Sequence, residues 1–256
     1  MILIKNEHEI ELMRISSRIV ADCFCYVWSL IKPGISTGKL NEEIEKFIRS
    51  KNAKPSFKGL YGFPASACIS INEEVVHGIP SNRRFLREGD FVSVDIGVEY
   101  KGYHGDCAFT FPVGEVDENK KRLMEVTLES LYLGIEKARA GNRLQDISHA
   151  IQVHAERHGY GVVRDLVGHG IGRNLHEEPQ IPNFGKPNRG PLLKEGMVFA
   201  IEPMVNMGTH EVRTLSDGWT VVTADGKPSA HYEHTVLIKN GAPEILTEHN
   251  LKNEVF

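Results

Sequence analysis

Apolar residues at Ile10, Met13, Val20, Phe24, Val27 and Ile31 recur at the spacing that lines up side chains along one face of a helix. Asn6 stands just ahead of this run with Glu9 three residues on, the pair that satisfies orphaned N–H groups at a helix start, and Lys32-Pro33-Gly34 predicts the stop. A second helix is predicted from Leu40, Ile44, Phe47 and Ile48, with Ser36 or Thr37 as its cap. From Lys51 to Ala67 the chain is rich in Gly, Pro, Ser and aromatics, which predicts an irregular loop with exposed rings; from Cys68 to Val113 strand signals dominate. The same order then recurs. Met124, Leu128, Leu131 and Ile135 form a helical stripe running to Gly141, Leu144, Ile147 and Ile151 begin a fourth helix ending near Gly159, and strands resume after it.

This recurrence reads as a duplication. Arg87-Glu88-Gly89 followed by an apolar strand and Asp95 matches Lys194-Glu195-Gly196 followed by an apolar strand and Glu202, and the offset of 107 residues is also that between Gly34 and Gly141. The expectation is an α+β fold of two pseudo-symmetric helix-helix-sheet halves, about 1–113 and 114–256, forming a single catalytic domain over 1–256.

Composition narrows the class. The chain has 256 residues, 30 Lys+Arg against 34 Asp+Glu, and ordinary hydrophobic (41%) and charged (25%) fractions, so it fits neither a disordered nor a collagen-like protein. Its four cysteines form no C-x-x-C, which excludes a zinc ribbon and a disulfide scaffold and points to a reducing, cytoplasmic setting. The most apolar stretch, Cys23 to Ile31, is about half the roughly 20 residues a bilayer needs, and the acidic start MILIKNEHEIE is unlike an export signal. The basic clusters, Arg83-Arg84 with Arg87 and Lys120-Lys121-Arg122, lack interleaved aromatics, so no membrane contact and no direct nucleic-acid specificity are expected.

The chemistry sits on the strands. In Phe91-Val92-Ser93-Val94-Asp95-Ile96-Gly97-Val98 the even positions are all apolar, so one face is core and Asp95 looks the other way. A two-residue turn at Lys101-Gly102 sets Tyr100 opposite Tyr103 and Gly97 opposite Asp106, leaving Asp95 and Asp106 as diagonal neighbours on one face, roughly 7–8 Å apart at Cα. Glu202 ends the corresponding strand of the second half, and Glu233 lies in another β-rich run. A pseudo-twofold axis brings two Asp and two Glu together, and four converging carboxylates need compensation that two divalent cations supply. His169, between Gly168 and Gly170, offers a neutral nitrogen. Carboxylate oxygens with one imidazole and no thiolate favour manganese, iron(II) or cobalt over a structural zinc site. His154 and His158, four apart on a helix, lack a third ligand with zinc-site spacing and read as a solvated helix end.

Cys68-Ile69-Ser70-Ile71-Asn72-Glu73-Glu74-Val75-Val76-His77-Gly78-Ile79-Pro80, Asp95-Ile96-Gly97, His104-Gly105-Asp106, Gly168-His169-Gly170-Ile171-Gly172, His176-Glu177-Glu178-Pro179, Ile201-Glu202-Pro203-Met204, Asp217-Gly218-Trp219 and Tyr232-Glu233-His234-Thr235 follow one another along the chain. Together they resemble the type I methionine aminopeptidases, members of the pita-bread metallopeptidase family, in the short bacterial form without an N-terminal zinc-finger extension. The resemblance implies Asp95, Asp106, His169, Glu202 and Glu233 as ligands of two divalent ions (cobalt, manganese, iron(II) or zinc), with Asp106 and Glu233 bridging. It implies hydrolysis by a bridging water or hydroxide that loses a proton to Glu202, with His176 at the developing oxyanion and His77 at the scissile amide. The methionine pocket would draw on Phe63, Cys68, His77, His176 and Trp219, with Phe57, Leu60, Tyr61 and Leu175 nearby; Leu60 and Leu175 are aliphatic where bacterial members often carry aromatics, which changes the shape of the pocket.

The function implied is removal of the initiator methionine from nascent chains with a small second residue, by a cytoplasmic monomer in weak contact with the ribosome. Two alternatives stand beside it. One is a proline-directed relative such as aminopeptidase P or prolidase, which usually carries an additional N-terminal domain. The other is a catalytically dead binding module, which would lose ligand positions that are all filled here.

Overall fold

Asn6 and Glu9 close the capping box at the start of α1 (Glu7–Trp28): the Asn6 side chain accepts from the Glu9 N–H at 3.0 Å, and the Glu9 carboxylate accepts from the Asn6 N–H at 2.9 Å. This computed structural model of the chain describes residues 1–255. Helix α1 ends short of Lys32-Pro33-Gly34, because Ser29 and Leu30 donate to Tyr26 and Val27 in a tightened last turn and the Ser29 hydroxyl also takes the Tyr26 carbonyl. Helix α2 (Thr37–Ser50) is capped by Ser36, whose hydroxyl accepts from the Lys39 N–H at 3.1 Å. Its Leu40, Ile44 and Ile48 are fully buried, each side chain contributing roughly 1.5–3 kcal/mol. The second pair is α3 (Glu118–Lys137) and α4 (Leu144–Arg157). Helix α3 stops before Gly141, since the N–H groups of Ala140 and Gly141 turn away to the carbonyls of Lys239 and Leu193.

The strands are β1 (Lys54–Pro55), β2 (Cys68–Ile71), β3 (Glu74–Val76), β4 (Phe91–Tyr100), β5 (Tyr103–Pro112), β6 (Gly161–Val162), β7 (Gly168–Gly170) and β8 (Glu177–Ile181). They continue with β9 (Val198–Ile201), β10 (Met204–Asn206), β11 (Val212–Thr214), β12 (Val221–Thr223), β13 (Ser229–His231), β14 (Glu233–Leu237) and β15 (Glu244–Ile245). Nine of them make one sheet in the order β1-β4-β5-β14-β9-β7-β8, with β2 also on β4 and β15 on β14. The seam between β5 and β14 joins the two halves, with β4 and β9 flanking it in matching positions. This is the mixed helix-and-sheet architecture of the pita-bread fold.

Register is set at the β4–β5 hairpin. Lys101 (φ 50°) and Gly102 (φ 81°) both lie in the left-handed region, as a type I′ turn requires, and Tyr100 faces Tyr103 while Gly97 faces Asp106. Helix α1 lies over β4 and β5, and one continuous core joins Val20, Phe24 and Ile44 to Val94, Ile96, Phe109, Leu131, Ile151, Phe199 and Ile201. One face of the central sheet is thereby sealed under helices, and the opposite face is free to build a site.

Gly105 marks how closely α1 approaches β5, because a Cβ there would sit 2.7 Å from the Ser17 nitrogen and 2.8 Å from its Cα. Gly105→Ala is expected to lower unfolding free energy by about 1–3 kcal/mol through overpacking. Urea denaturation checks this, and an unchanged midpoint would contradict the close packing.

Candidate metal centre

Alternation along the paired strands gathers five donors on the face turned away from the helices. Asp95 and Glu233 both pair with Ala108, and Asp106 lies two residues from it on β5. Ile201 pairs with His234, so Glu202 arrives beside Glu233, and His169 pairs with Ala200, two residues before Glu202. One ligand atom each of Asp106, His169 and Glu233 lies within 4.8 Å of the others. His169 Nε2 is 3.9 Å from Asp106 Oδ2 and 3.6 Å from Glu202 Oε1. The Thr235 hydroxyl accepts from the Asp106 N–H at 3.0 Å and donates to its carbonyl at 2.8 Å, pinning β5 to β14 between the two bridging candidates.

The electrostatics call for cations. Burial first, and then mutual repulsion, pushes Asp95, Glu202 and Glu233 well above the usual carboxylate range, and burial raises Asp106 to about 7. His169 is pushed down to about 3, chiefly by burial, so it stays neutral. Its Nδ1 lies 2.9 Å from the Gly170 carbonyl, which assigns the proton to that nitrogen and leaves the Nε2 lone pair aimed at the carboxylates. Asp95 Oδ1, Asp106 Oδ1 and Glu233 Oε1 are buried without a hydrogen-bond partner. An unsatisfied buried oxygen costs about 1–3 kcal/mol, and three such carboxylates lining one cavity fit divalent metal binding.

These donors floor a cavity of about 610 Å³. Phe63 and Trp219 meet edge-on at 5.2 Å on its wall, and Cys68, paired with Asp95 across β2 and β4, faces into it. Leu60, Leu175 and Phe57 extend the apolar surface. His77 lines the cavity from a left-handed backbone (φ 60°), and burial lowers its pKa. His176 sits edge-on to His169 at 4.5 Å and stacks on Tyr61 at 6.2 Å. All of the residues singled out from the sequence as metal or substrate contacts thus border one cavity. The loop from Lys51 to Ala67 differs from expectation: only Tyr61 among its rings is exposed, while Phe57 and Phe63 turn inward because the cavity wall gives them an apolar surface to cover. His154 lies in the last turn of α4 and His158 caps its C-terminus, with His154 bound to Glu129 at 2.9 Å.

His231, which lines the same cavity, escaped the sequence reading. It is 2% exposed, and its Nε2, which has no hydrogen-bond partner, lies 3.6 Å from Glu202 Oε2. The signal was present, for His231 is two residues before Glu233 and so shares its side of an extended segment. At the rim, Lys5 Nζ meets Glu177 Oε2 at 2.6 Å in a buried ion pair next to His176.

A model of metallopeptidase family M24 matches residues 11–240. Fold and site define a metallopeptidase, and the chain belongs to family M24. Within it, the chain is 57% identical to a methionine aminopeptidase of Clostridium acetobutylicum over 96% of this chain and 99% of that one. The crystal structure of a methionine aminopeptidase from Thermotoga maritima superposes with a TM-score of 0.95 at 47% identity, covering 97% of this chain and 100% of that one. A prolidase from Pyrococcus horikoshii shares the fold alone, with a TM-score of 0.78 at 24% identity, covering 96% of this chain and 64% of the prolidase.

A raised carboxylate pKa stabilises the folded state below the unfolded value and loses that contribution as pH rises through the folded one. Metal-free protein is therefore expected to lose stability between about pH 4 and about pH 7, the interval over which Asp106 keeps a proton only in the folded state. Saturating Mn²⁺ should abolish this loss by replacing the protons. Thermal unfolding in chelator and in Mn²⁺ across that range checks it, and a flat metal-free profile would contradict it.

Proposed function

We propose that this chain removes N-terminal methionine from nascent proteins and peptides whose second residue is small, using two divalent metal ions held by Asp95, Asp106, His169, Glu202 and Glu233. The observation that carries the reading is the convergence of these five donors on the floor of an apolar cavity. Ions bound there supply Lewis-acid polarisation of a carbonyl and lower the pKa of water. Zinc, manganese, iron(II) and cobalt all suit the donor set.

The chain's own residues do the remaining work. Glu202 accepts the proton of the attacking water, with the His231 ring beside it to hold its orientation. His77, neutral through burial, offers an N–H to the scissile amide, and His176 at the rim donates to the developing oxyanion. Phe63, Cys68 and Trp219 surround the methionine side chain with apolar, sulfur-tolerant surface, and the cavity floor limits cleavage to the first residue. None of the described helices is long and apolar enough to cross a membrane. A cytoplasmic monomer acting on chains as they emerge, in weak contact with the ribosome, suits this role.

With Co²⁺ or Mn²⁺, Met-Ala-Ser should be cleaved while Met-Lys-Ser and an X-Pro peptide are barely touched. Equal turnover of the first two would remove the specificity claim, and preference for X-Pro would favour the prolidase-like alternative. Asp106→Asn should lower kcat/KM by at least about 100-fold while circular dichroism stays native, the scale on which single electrostatic groups matter in catalysis. Undiminished turnover in that variant would sink the metal assignment.

A further inference from the structure

The residues that alternate with the catalytic donors point to the other side of the sheet. Cys107 follows Asp106, His234 follows Glu233, and the two are directly paired across β5 and β14, so their side chains emerge together under the cavity floor. His249, from the stretch after β15, closes against them. One ligand atom from each of the three lies within 4.8 Å of the others, with Cys107 Sγ 3.7 Å from His234 Nδ1 and 3.9 Å from His249 Nε2. A tetrahedral zinc ion, with Zn–S about 2.3 Å and Zn–N about 2.0–2.1 Å, sets sulfur and nitrogen about 3.5 Å apart. Shifts of a few tenths of an ångström would bring both sulfur–nitrogen distances to that value.

The surroundings are largely apolar and aromatic. Cys107 is fully buried, His234 nearly so, and His249 half-buried. Phe109 lies edge-on to His249 at 5.2 Å, Phe24 is 5.7 Å from the same ring, and Tyr132 is 5.9 Å from His234. His249 Nδ1 is buried without a hydrogen-bond partner, so hydrogen bonding through that nitrogen does not explain the ring's placement. The Thr247 hydroxyl, 3.0 Å from His234 Nδ1, is an oxygen at hand beside the cluster.

From this geometry we infer that Cys107, His234 and His249 form a second metal site, distinct from the catalytic centre and suited to one borderline or soft ion such as zinc. The ion displaces the thiol proton, which now points to the Glu233 carbonyl at 2.8 Å, and the proton leaves to solvent. A thiolate, two neutral imidazoles and a divalent ion carry a net single positive charge, placed behind the acidic floor. The ion would staple the segment after β15 to the strand pair that carries Asp106 and Glu233.

Cobalt titration of the full-length protein tests this, because a thiolate ligand gives a sulfur-to-cobalt charge-transfer band that carboxylates and imidazole cannot. Wild type and Cys68→Ser should both show the band and bind one more cobalt per chain than Cys107→Ser or His249→Ala, by elemental analysis after gel filtration. The band should persist in Asp106→Asn, which separates this site from the catalytic one. If Cys107→Ser fails to fold, His249→Ala decides, since it leaves the strand pair untouched. Absence of the band, its loss only in Cys68→Ser, or equal metal content in wild type and His249→Ala would overturn the site.

Discussion

Four carboxylates brought side by side on a sheet lose hydration and repel one another, so the chain must hold them against their own preference. Backbone register does this. The left-handed pair Lys101-Gly102 fixes how β4 meets β5, and the Thr235 hydroxyl, bonded to both the N–H and the carbonyl of Asp106, fixes how β5 meets β14. A slip of one residue anywhere in this series would turn a donor into the core and bring an apolar side chain to the floor of the cavity. The rest of the molecule serves that alignment: α1 presses on β5 so closely that position 105 admits no side chain, and the helical layer covers the sheet face that carries none of the four carboxylates.

Burial has opposite effects on acids and imidazoles here, and both suit a metal site. It raises the carboxylates, so that their charge is expressed fully only against cations, and lowers His77, His169 and His231, so that these rings stay neutral. Neutral histidines can ligate or donate without adding charge to the cavity. The apolar wall of Phe63, Leu175 and Trp219 strengthens each of these interactions by keeping water out.

Much of this was legible in the sequence because it depends on periods of two and on short turns. The pairing of Gly97 with Asp106 followed from one turn dipeptide, and the placement of Glu202 followed from its likeness to Asp95 in the repeat. Helix starts were readable from Asn6, Glu9 and Ser36, whose side chains act on residues three away. The ends of α2 at Ser50 and α4 at Arg157 were readable as well, but that of α3 was not, since it terminates through bonds to Lys239 and Leu193, far off in sequence. The inward turn of Phe57 and Phe63 was hidden for the same reason, as the surface they cover is assembled from several elements. His231 had the right parity, but a lone histidine ahead of Tyr232-Glu233 has no local feature to set it apart.

The Lys5–Glu177 pair makes the leading segment of the chain part of the cavity rim. With both partners buried, it adds little while intact but leaves a stranded carboxylate next to His176 when broken. The Lys5 N–H is also tied to the Gly196 carbonyl at 2.7 Å, which fixes the path of the chain into α1. Affinity tags or fusion partners joined upstream must leave this path clear, and proteolytic trimming past Lys5 would free Glu177, the neighbour of His176, without touching any residue on the cavity floor.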